Sequence, residues 1–208
     1  MNAEKEFSMR LDLVPIRQWI DEETRVLDLG CGDGKLLQYL SKVKRVNGLG
    51  VEIDTDNITA CIAKGLNVIE QDIDLGLANF SDNSFDTVLL TQTLQAVHRP
   101  DFVLSEMLRV GKECIITFPN FGHWRARWDL MVRGKMPVSK FMPYHWYDTP
   151  NIHFCTVKDF EVLCIQQKVK VINRVFQADK ADGKRRTLLP SHLPPNLYAA
   201  HAIYHVTR

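Results

Sequence analysis

The chain has 208 residues, of which 45% are hydrophobic and 25% are charged, proportions that are ordinary for a globular protein. They exclude a disordered, fibrous or coiled-coil protein, and one hydrophobic core is sufficient for this length. The formal net charge of +1 provides no overall electrostatic field, so neither nucleic acid nor an anionic membrane is expected as a partner.

The N-terminal segment and the cysteines predict a cytoplasmic protein. Glu4, Lys5 and Glu6 stand where a signal peptide would have a basic region followed by an apolar one, and the longest apolar stretches are only strand-sized. The five cysteines are odd in number, and no pair has the C-x-x-C spacing of a zinc or redox site. We therefore expect reduced thiols, no structural metal and no membrane-spanning helix.

Short apolar runs rich in Val, Ile and Leu alternate with helix-length segments. Such runs predict strands buried on both faces, and the alternation implies right-handed crossovers. The expected fold is α/β: a Rossmann-like, seven-stranded, mostly parallel doubly wound sheet with an antiparallel edge strand. The predicted strands are 25–30, 46–53, 67–72, 85–91, 113–118, 169–176 and 199–206, and the predicted helices are 35–42, 56–64, 101–110 and 156–167.

We expect residues 1–208 to form one domain with a loop-rich cover segment at about 119–155. Residues 119–151 contain four prolines and two glycines and have no clean periodicity, which is unusual for a connection inside a compact domain. Long irregular segments of this kind are usually functional.

A glycine-rich turn follows the first predicted strand. Gly30, Gly32 and Gly34 alternate along it, and each permits backbone angles and close approaches that a side chain would block. Asp28, at the end of the strand, can receive the ammonium group of an amino-acid-bearing ligand. The spacing differs from the G-x-G-x-x-G pattern of a dinucleotide site, whose helix receives a pyrophosphate.

Polar residues follow the next three predicted strands. Glu52 lies 22 residues after Gly30, where an acid can hold two ribose hydroxyls. Gln71, Asp72 and Ile73 offer a polar acceptor for an adenine amino group beside an apolar ring contact, and Thr91 ends the fourth strand. These strand ends share one edge of the sheet, so we expect an S-adenosylmethionine-type site, with NAD or another nucleotide as the alternative.

The residues from Asp28 to Gly34 match the D-x-G-x-G-x-G signature of class I methyltransferases, and Glu52 matches the ribose-binding acid of that family. The resemblance covers residues 20–118 and implies binding of S-adenosylmethionine or S-adenosylhomocysteine. The residues expected to bind this cofactor are Asp28, Gly30, Cys31, Gly32, Gly34, Glu52, Ile53, Gln71, Asp72, Ile73 and Thr91.

Two longer strings extend the resemblance. F-P-N-F-G-H-W begins at Phe118 and W-Y-D-T-P-N-I-H begins at Trp146, and with the upstream site they resemble the MetW family over nearly the whole chain. The resemblance implies a role in methionine biosynthesis alongside homoserine O-acyltransferase (MetX). It brings no catalytic residue with it, so the catalytic residues stay unassigned.

Residues 118–160 are rich in aromatic side chains, and these have two interpretations. Phe118, Phe154 and Phe160 are expected to complete the core, whereas Trp124, Trp128, Trp146 and Tyr147 are expected on a surface that covers a ligand or a partner.

Histidines and basic residues in the second half of the chain are weaker candidates. His123, His145 and His153 are possible general bases, although structural roles are the more common ones for such residues. A zinc site at His153 and Cys155 lacks further ligands, and the run from Lys184 to Arg186 is expected to be a solvated hairpin tip.

Three functions are compatible with these patterns. The first is an S-adenosylmethionine-binding partner of homoserine O-acyltransferase that supports or regulates it. The second is an independent methyltransferase acting on a small molecule. The third is a protein scaffold with a degenerate pocket, which the intact Asp28, the three glycines and Glu52 disfavour.

Overall fold

The computed structural model describes residues 13–138, 144–179 and 186–208. The helices are α1 (Leu13–Trp19), α2 (Lys35–Lys44), α3 (Thr55–Ala63), α4 (Pro100–Val110), α5 (Trp124–Trp128), α6 (Val157–Gln166) and α7 (Pro195–Tyr198). The strands are β1 (Arg25–Leu29), β2 (Asn47–Glu52), β3 (Asn67–Glu70), β4 (Phe85–Thr91), β5 (Gly111–Pro119), β6 (Lys170–Asp179), β7 (Arg186–Leu188) and β8 (His201–Thr207). A 3₁₀ turn (Ile73–Leu75) follows β3, and a π-helical turn (Asp129–Arg133) continues α5.

The strands form one mixed sheet in the order β3-β2-β1-β4-β5-β8-β6-β7. The first five strands of that order run parallel to one another, β8 is antiparallel to both β5 and β6, and β7 pairs antiparallel with β6 at the edge. The chain order reverses between β1 and β4, which is where open α/β sheets bind ligands. The predicted Rossmann-like architecture is confirmed.

Both faces of the sheet are covered because alternate residues of its central strands enter different cores. In β1, Val26 packs with the side chains of α1 and α2, and Leu27 packs with those of α4 and α6 on the other face. In β4, Leu89 and Leu90 divide in the same way. These strands are therefore apolar at almost every position, as expected for a doubly wound sheet.

The predicted number of strands was wrong: the described residues form eight strands, because Arg186–Leu188 pairs with β6. Three residues are too few to show a twofold hydrophobic pattern, and the strand exists because the edge of β6 offers free backbone groups. Lys184 and Arg185 of the expected hairpin tip lie outside the described residues.

The helix α6 confirms the predicted start signal at Thr156. Its hydroxyl accepts from the backbone N–H of Asp159, and the Asp159 carboxylate accepts from the backbone N–H of Thr156. This reciprocal capping box fixes the point at which the chain leaves the cover segment. The helix α5 was not predicted.

Candidate functional site

A cleft opens at the carboxyl ends of β1, β2, β3 and β4. Its volume, counted out to the open mouth, is about 670 Å³. Six of the predicted site residues line it: Gly30, Glu52, Ile53, Gln71, Asp72 and Ile73. Residues from separate parts of the sequence therefore meet at one place, because parallel strands deliver their ends to one edge of the sheet.

The glycine-rich turn adopts the left-handed backbone that its sequence predicts. Gly30, Gly32 and Gly34 have φ values of 67°, 55° and 72°. The turn is tied to β2, because the backbone N–H groups of Gly30 and Cys31 both donate to the carbonyl oxygen of Val51. A side chain at Gly34 would collide with Cys61 and Leu66, whereas the space beside Gly32 is open. Gly32 is thus the point at which a ligand can approach the backbone.

The Glu52 carboxylate organises this turn. It accepts backbone N–H groups from Gly32 at 2.7 Å, Ile53 at 2.9 Å and Asp54 at 3.1 Å. Because a carboxylate has about four acceptor positions, a ligand with two hydroxyl donors would have to displace one of these N–H groups. Gly32 is the partner on the open side of the turn, and its N–H would then become free to bind an acceptor.

Asp28 lies behind the turn, where it is 1% exposed. Neither carboxylate oxygen has a hydrogen-bond partner among the described residues. Burial, and secondarily the negative charge of Glu52, raises the pKa of the Asp28 carboxyl from 3.8 to about 7. A buried carboxyl without a partner is unusual in a folded protein, and a ligand ammonium group or an ordered water would satisfy it.

At the end of β3, the two predicted polar side chains have different hydrogen-bond partners. The Gln71 side chain exchanges hydrogen bonds with Asn79 and donates to the carbonyl oxygen of Gly76, so it secures a turn. Asp72 accepts from the backbone N–H of Asp74 through one oxygen, and the described residues offer no hydrogen-bond partner for the other. Of these two polar side chains, Asp72 is therefore the better placed to accept a hydrogen bond from a ligand.

Asp74 and His98 form a pair in the wall of the cleft that the sequence reading missed. The Asp74 carboxylate accepts the backbone N–H groups of His98 and Arg99, and it lies 2.9 Å from Nδ1 of His98. Although burial opposes it, these hydrogen bonds hold the pKa of Asp74 below its ordinary value. They fasten the loop after β4 to the turn after β3.

Two of the predicted site residues, Thr91 and Cys31, lie behind the cleft and contact residues around it. The carbonyl oxygen of Thr91 accepts a hydrogen bond from the Thr93 hydroxyl, and Thr93 lines the cleft. The Cys31 side chain packs against Gly50, with its sulfur 3.9 Å from that of Cys61.

Within the described ranges, no three His, Cys, Asp or Glu side chains are grouped as a metal site would require. No helix of those ranges is long and apolar enough to cross a membrane.

We predict different costs for alanine at two glycines of the turn. At Gly30 the new methyl carbon would lie 2.7 Å from Thr93 Oγ1 and 2.8 Å from Thr93 Cγ2, whereas at Gly32 it would have no neighbour within 4 Å. Both substitutions strain a left-handed backbone by about 1–2 kcal/mol. Gly30→Ala adds a steric clash, so its free energy of unfolding should fall by about 1–3 kcal/mol more.

Urea unfolding of the two variants measures this difference. Thr93→Ala removes both clashing atoms and should restore part of the stability of Gly30→Ala, while leaving that of Gly32→Ala unchanged. Equal losses at both positions, or no restoration by Thr93→Ala, would contradict the geometry.

Comparison with known proteins identifies the family. The family model described as "Methionine biosynthesis protein MetW" matches residues 10–206. The chain belongs to the MetW family. A curated relative from Rhodopirellula baltica, the bifunctional methionine biosynthesis protein MetXA/MetW, is 36% identical over 207 residues, which is 95% of this chain. The match covers 33% of the relative, so the chain spans about a third of that protein's length.

Solved structures agree on the fold. A SAM-dependent methyltransferase from Thermotoga maritima, described as a possible histamine N-methyltransferase, superposes with a TM-score of 0.71 at 18% identity, covering 97% of this chain and 89% of that one. A SAM-dependent methyltransferase from Archaeoglobus fulgidus gives 0.68 at 17% identity, covering 100% and 95%. At such identities the likeness shows the fold alone. This MetW chain is thus a methionine biosynthesis protein with a methyltransferase-like fold.

The first MetW string is built around Asn120, which is completely buried. Its amide nitrogen donates to the carbonyl oxygen of Ala199 at 2.8 Å, and its amide oxygen accepts backbone N–H groups from Gly122 and Val157. A side chain at Gly122 would collide with the Asn196 carbonyl oxygen at 2.9 Å. The string therefore joins the end of β5 to α6 and α7.

The second MetW string reaches the wall of the cleft. The backbone N–H groups of Ile152 and His153 donate to the carbonyl oxygen of Gln95, at 2.8 and 3.0 Å. The His153 ring nitrogen Nε2 lies 3.2 Å from the carbonyl oxygen of His98, a cleft residue. The cover segment and the cleft thus share the loop that follows β4.

The histidines of the MetW segment occupy different environments. His123 is buried at the start of α5, where Nδ1 accepts from the backbone N–H of Arg125. Burial, and then the positive charge of Arg125, lowers its pKa to about 4, so its ring is neutral near pH 7. His145 is exposed and stacks on Tyr147.

The aromatic residues of the segment mostly follow their predictions. Phe118 and Phe160 are in the core, while Trp124, Trp128, Trp146 and Tyr147 are exposed. The prediction for Phe154 was wrong, because this ring is 46% exposed and packs against Phe121.

Proposed function

We propose that this MetW chain binds S-adenosylmethionine, or S-adenosylhomocysteine, in the cleft and acts as a subunit of homoserine O-acyltransferase (MetX). The observation that carries the partnership is the relative named MetXA/MetW, in which a region similar to this chain belongs to a bifunctional protein. The presence of two activities in one chain supports the interpretation that the corresponding separate proteins also act together.

The residues that line the cleft, together with Asp28 buried behind the glycine-rich turn, suit this ligand for definite reasons. The orphaned Asp28 carboxylate would receive the ligand ammonium group, and Glu52 would exchange the Gly32 N–H for ribose hydroxyls. Asp72 would accept from the adenine amino group beside Ile53 and Ile73. S-adenosylmethionine would supply an electrophilic methyl group on sulfonium sulfur. NAD is less suited, since the unpartnered Asp28 calls for a cation and not for a pyrophosphate.

A titration tests the ligand part of the proposal. Isothermal titration calorimetry should show saturable binding of S-adenosylhomocysteine, and Glu52→Gln should weaken it by more than about tenfold, because a carboxylate is the stronger acceptor for hydroxyl donors. Glu113→Gln is the matched control, since Glu113 pairs with His205 near the amino end of β5, whereas the cleft lies at the carboxyl ends of the parallel strands. No heat of binding, with NAD binding in its place, would reject this ligand.

Ligand binding in the cleft can influence a partner through the loop after β4. Residues 93 and 96–98 line the cleft, and the Gln95 carbonyl oxygen holds the cover segment. S-adenosylmethionine lies downstream of homoserine acylation, so a subunit that holds it would report methionine supply if two states of the complex bind it unequally.

We also propose that the protein is cytoplasmic. The cysteines of the described ranges are free thiols, which supports this proposal.

The second candidate is an independent methyltransferase acting on a small molecule, which the fold of the solved neighbours favours. The chain would place the acceptor in line with the methyl group, beneath the cover segment. Transfer of tritium from labelled S-adenosylmethionine to a metabolite in a cell extract, without the acyltransferase present, would support this candidate over the first.

A further inference from the structure

The helical segment Trp124–Arg133 exposes apolar side chains around much of its surface. Among its ten residues only Ala126 is buried. Trp124, Trp128 and Met131 are four and three residues apart, so they lie along one side of the helix, and Met131 is 76% exposed. Large apolar side chains grouped on an exposed surface usually mark an interaction site.

A groove follows the helical segment, and Asp129 and Arg133 are the residues of the segment that line it. Its volume, counted out to the open mouth, is about 1330 Å³, and it lies between the end of the helical segment and Trp146 and Tyr147. Those two rings are 73% and 69% exposed and touch edge to face. We call the side chains of Trp124, Trp128, Met131, Trp146 and Tyr147 the aromatic face. Aromatic and methionine side chains of this kind form the centres of protein interfaces.

The border of the aromatic face is basic. Between residues 124 and 138 the chain has four basic residues and one acidic residue, Asp129, whose charge is paired with Arg133 at 3.0 Å. Arg125 lies over the Trp124 ring, and Lys135 lines the groove. A second copy of this chain would bring equal positive borders together, which disfavours self-association. A partner with an apolar groove bordered by carboxylates fits.

We propose that the aromatic face is the docking surface for homoserine O-acyltransferase. This inference rests on the proposed function, which supplies the partner, and it adds the surface and the chemistry of the matching site. The segment is also well placed to transmit binding. The string that contains Trp146 and Tyr147 continues to Ile152 and His153, which bond to the loop that lines the cleft.

Two exposed aliphatic side chains provide a matched test. Met131 on the aromatic face and Ile165 on α6 are both 76% exposed and helical, so a new aspartate should leave the fold intact at either position. Met131→Asp should weaken binding to the purified acyltransferase of the same organism by more than about tenfold in isothermal titration calorimetry. Ile165→Asp should bind as the unmodified chain does. Circular dichroism of both variants confirms that they are folded.

The outcomes separate the inference from the function on which it rests. No binding by the unmodified chain would remove the proposed partnership, and the docking surface with it. Binding by the unmodified chain that Met131→Asp leaves unchanged would overturn the docking surface alone. The surface would be reassigned if Met131→Asp instead abolished self-association in sedimentation or binding to phosphatidylglycerol vesicles, with acyltransferase binding intact.

Discussion

Asp28→Asn should make the ligand-free protein more stable at alkaline pH and should weaken its binding of S-adenosylmethionine. The pKa of Asp28 is about 7 in the folded protein and about 3.8 when unfolded, so the folded state holds the proton more tightly. The carboxyl therefore destabilises the fold progressively as pH rises from about 4 to 7, by about 4 kcal/mol above that range. Asparagine has no charge to bury and removes this cost.

Ligand binding should show the opposite dependence on pH. An ammonium group beside Asp28 favours the ionised carboxyl, so affinity should increase as pH rises through about 7 and then level off. Asp28→Asn should bind more weakly, by about tenfold or more, with little dependence on pH across this range. Urea unfolding and calorimetry at about pH 5.5 and about pH 8.5 measure both effects.

Asp86 is the control for Asp28. Its carboxylate bonds to Lys112 and to the backbone N–H of Arg25, and these contacts lower its pKa. Such a group stabilises the fold above its unfolded pKa and loses that effect as pH falls, so Asp86→Asn should modestly destabilise the protein at neutral pH and spare ligand binding. If the free energy of unfolding of Asp28→Asn varied with pH in the same way as that of the unmodified chain, the role assigned to Asp28 would be refuted.

Asn120→Ala should lower the free energy of unfolding by about 3–5 kcal/mol. The alanine would leave the Ala199 carbonyl oxygen and the N–H groups of Gly122 and Val157 buried without their partner. Asn120→Asp keeps an acceptor for the two N–H groups but sets a carboxylate oxygen against the Ala199 carbonyl oxygen, so it should be destabilising as well.

Asn173 provides the comparison, because it is exposed and its amide makes one long contact with the His205 ring at 3.5 Å. Asn173→Ala should change the free energy of unfolding by less than about 0.5 kcal/mol. Thermal and urea unfolding measure both variants. A loss below about 1 kcal/mol for Asn120→Ala would show that the first MetW string is not held together by this side chain.

The sheet, the glycine-rich turn and the position of Glu52 were predictable because each has a local sequence signal. Buried strands show as apolar runs, and the turn at Gly30 needs residues that tolerate positive φ. The Glu52 position follows from the length of one strand–helix–strand unit. What these patterns could not show is that Glu52 already holds three backbone N–H groups in the ligand-free fold.

The features that escaped prediction depend on contacts between distant residues. Gln71 is occupied by Asn79, and Asp74 meets His98 across 24 positions, so neither role is visible in a local pattern. The segment Trp124–Arg133 is helical, but it is only ten residues long and most of its apolar side chains face outward, so its period does not mark a face that covers the core. From the sequence alone, its exposed rings could equally have been core residues. Phe154 illustrates this, because it was expected in the core and is exposed.

The partnership with homoserine O-acyltransferase is tested most directly by acyl transfer to homoserine in the presence and absence of this chain. The purified acyltransferase of the same organism is assayed alone, with an equal concentration of this chain, and with Met131→Asp. We expect the unmodified chain to raise the rate of acyl transfer about tenfold or more, and added S-adenosylmethionine to change that rate. The Met131→Asp variant should raise the rate little or not at all. Equal rates under all conditions, with the two proteins eluting separately, would contradict the account.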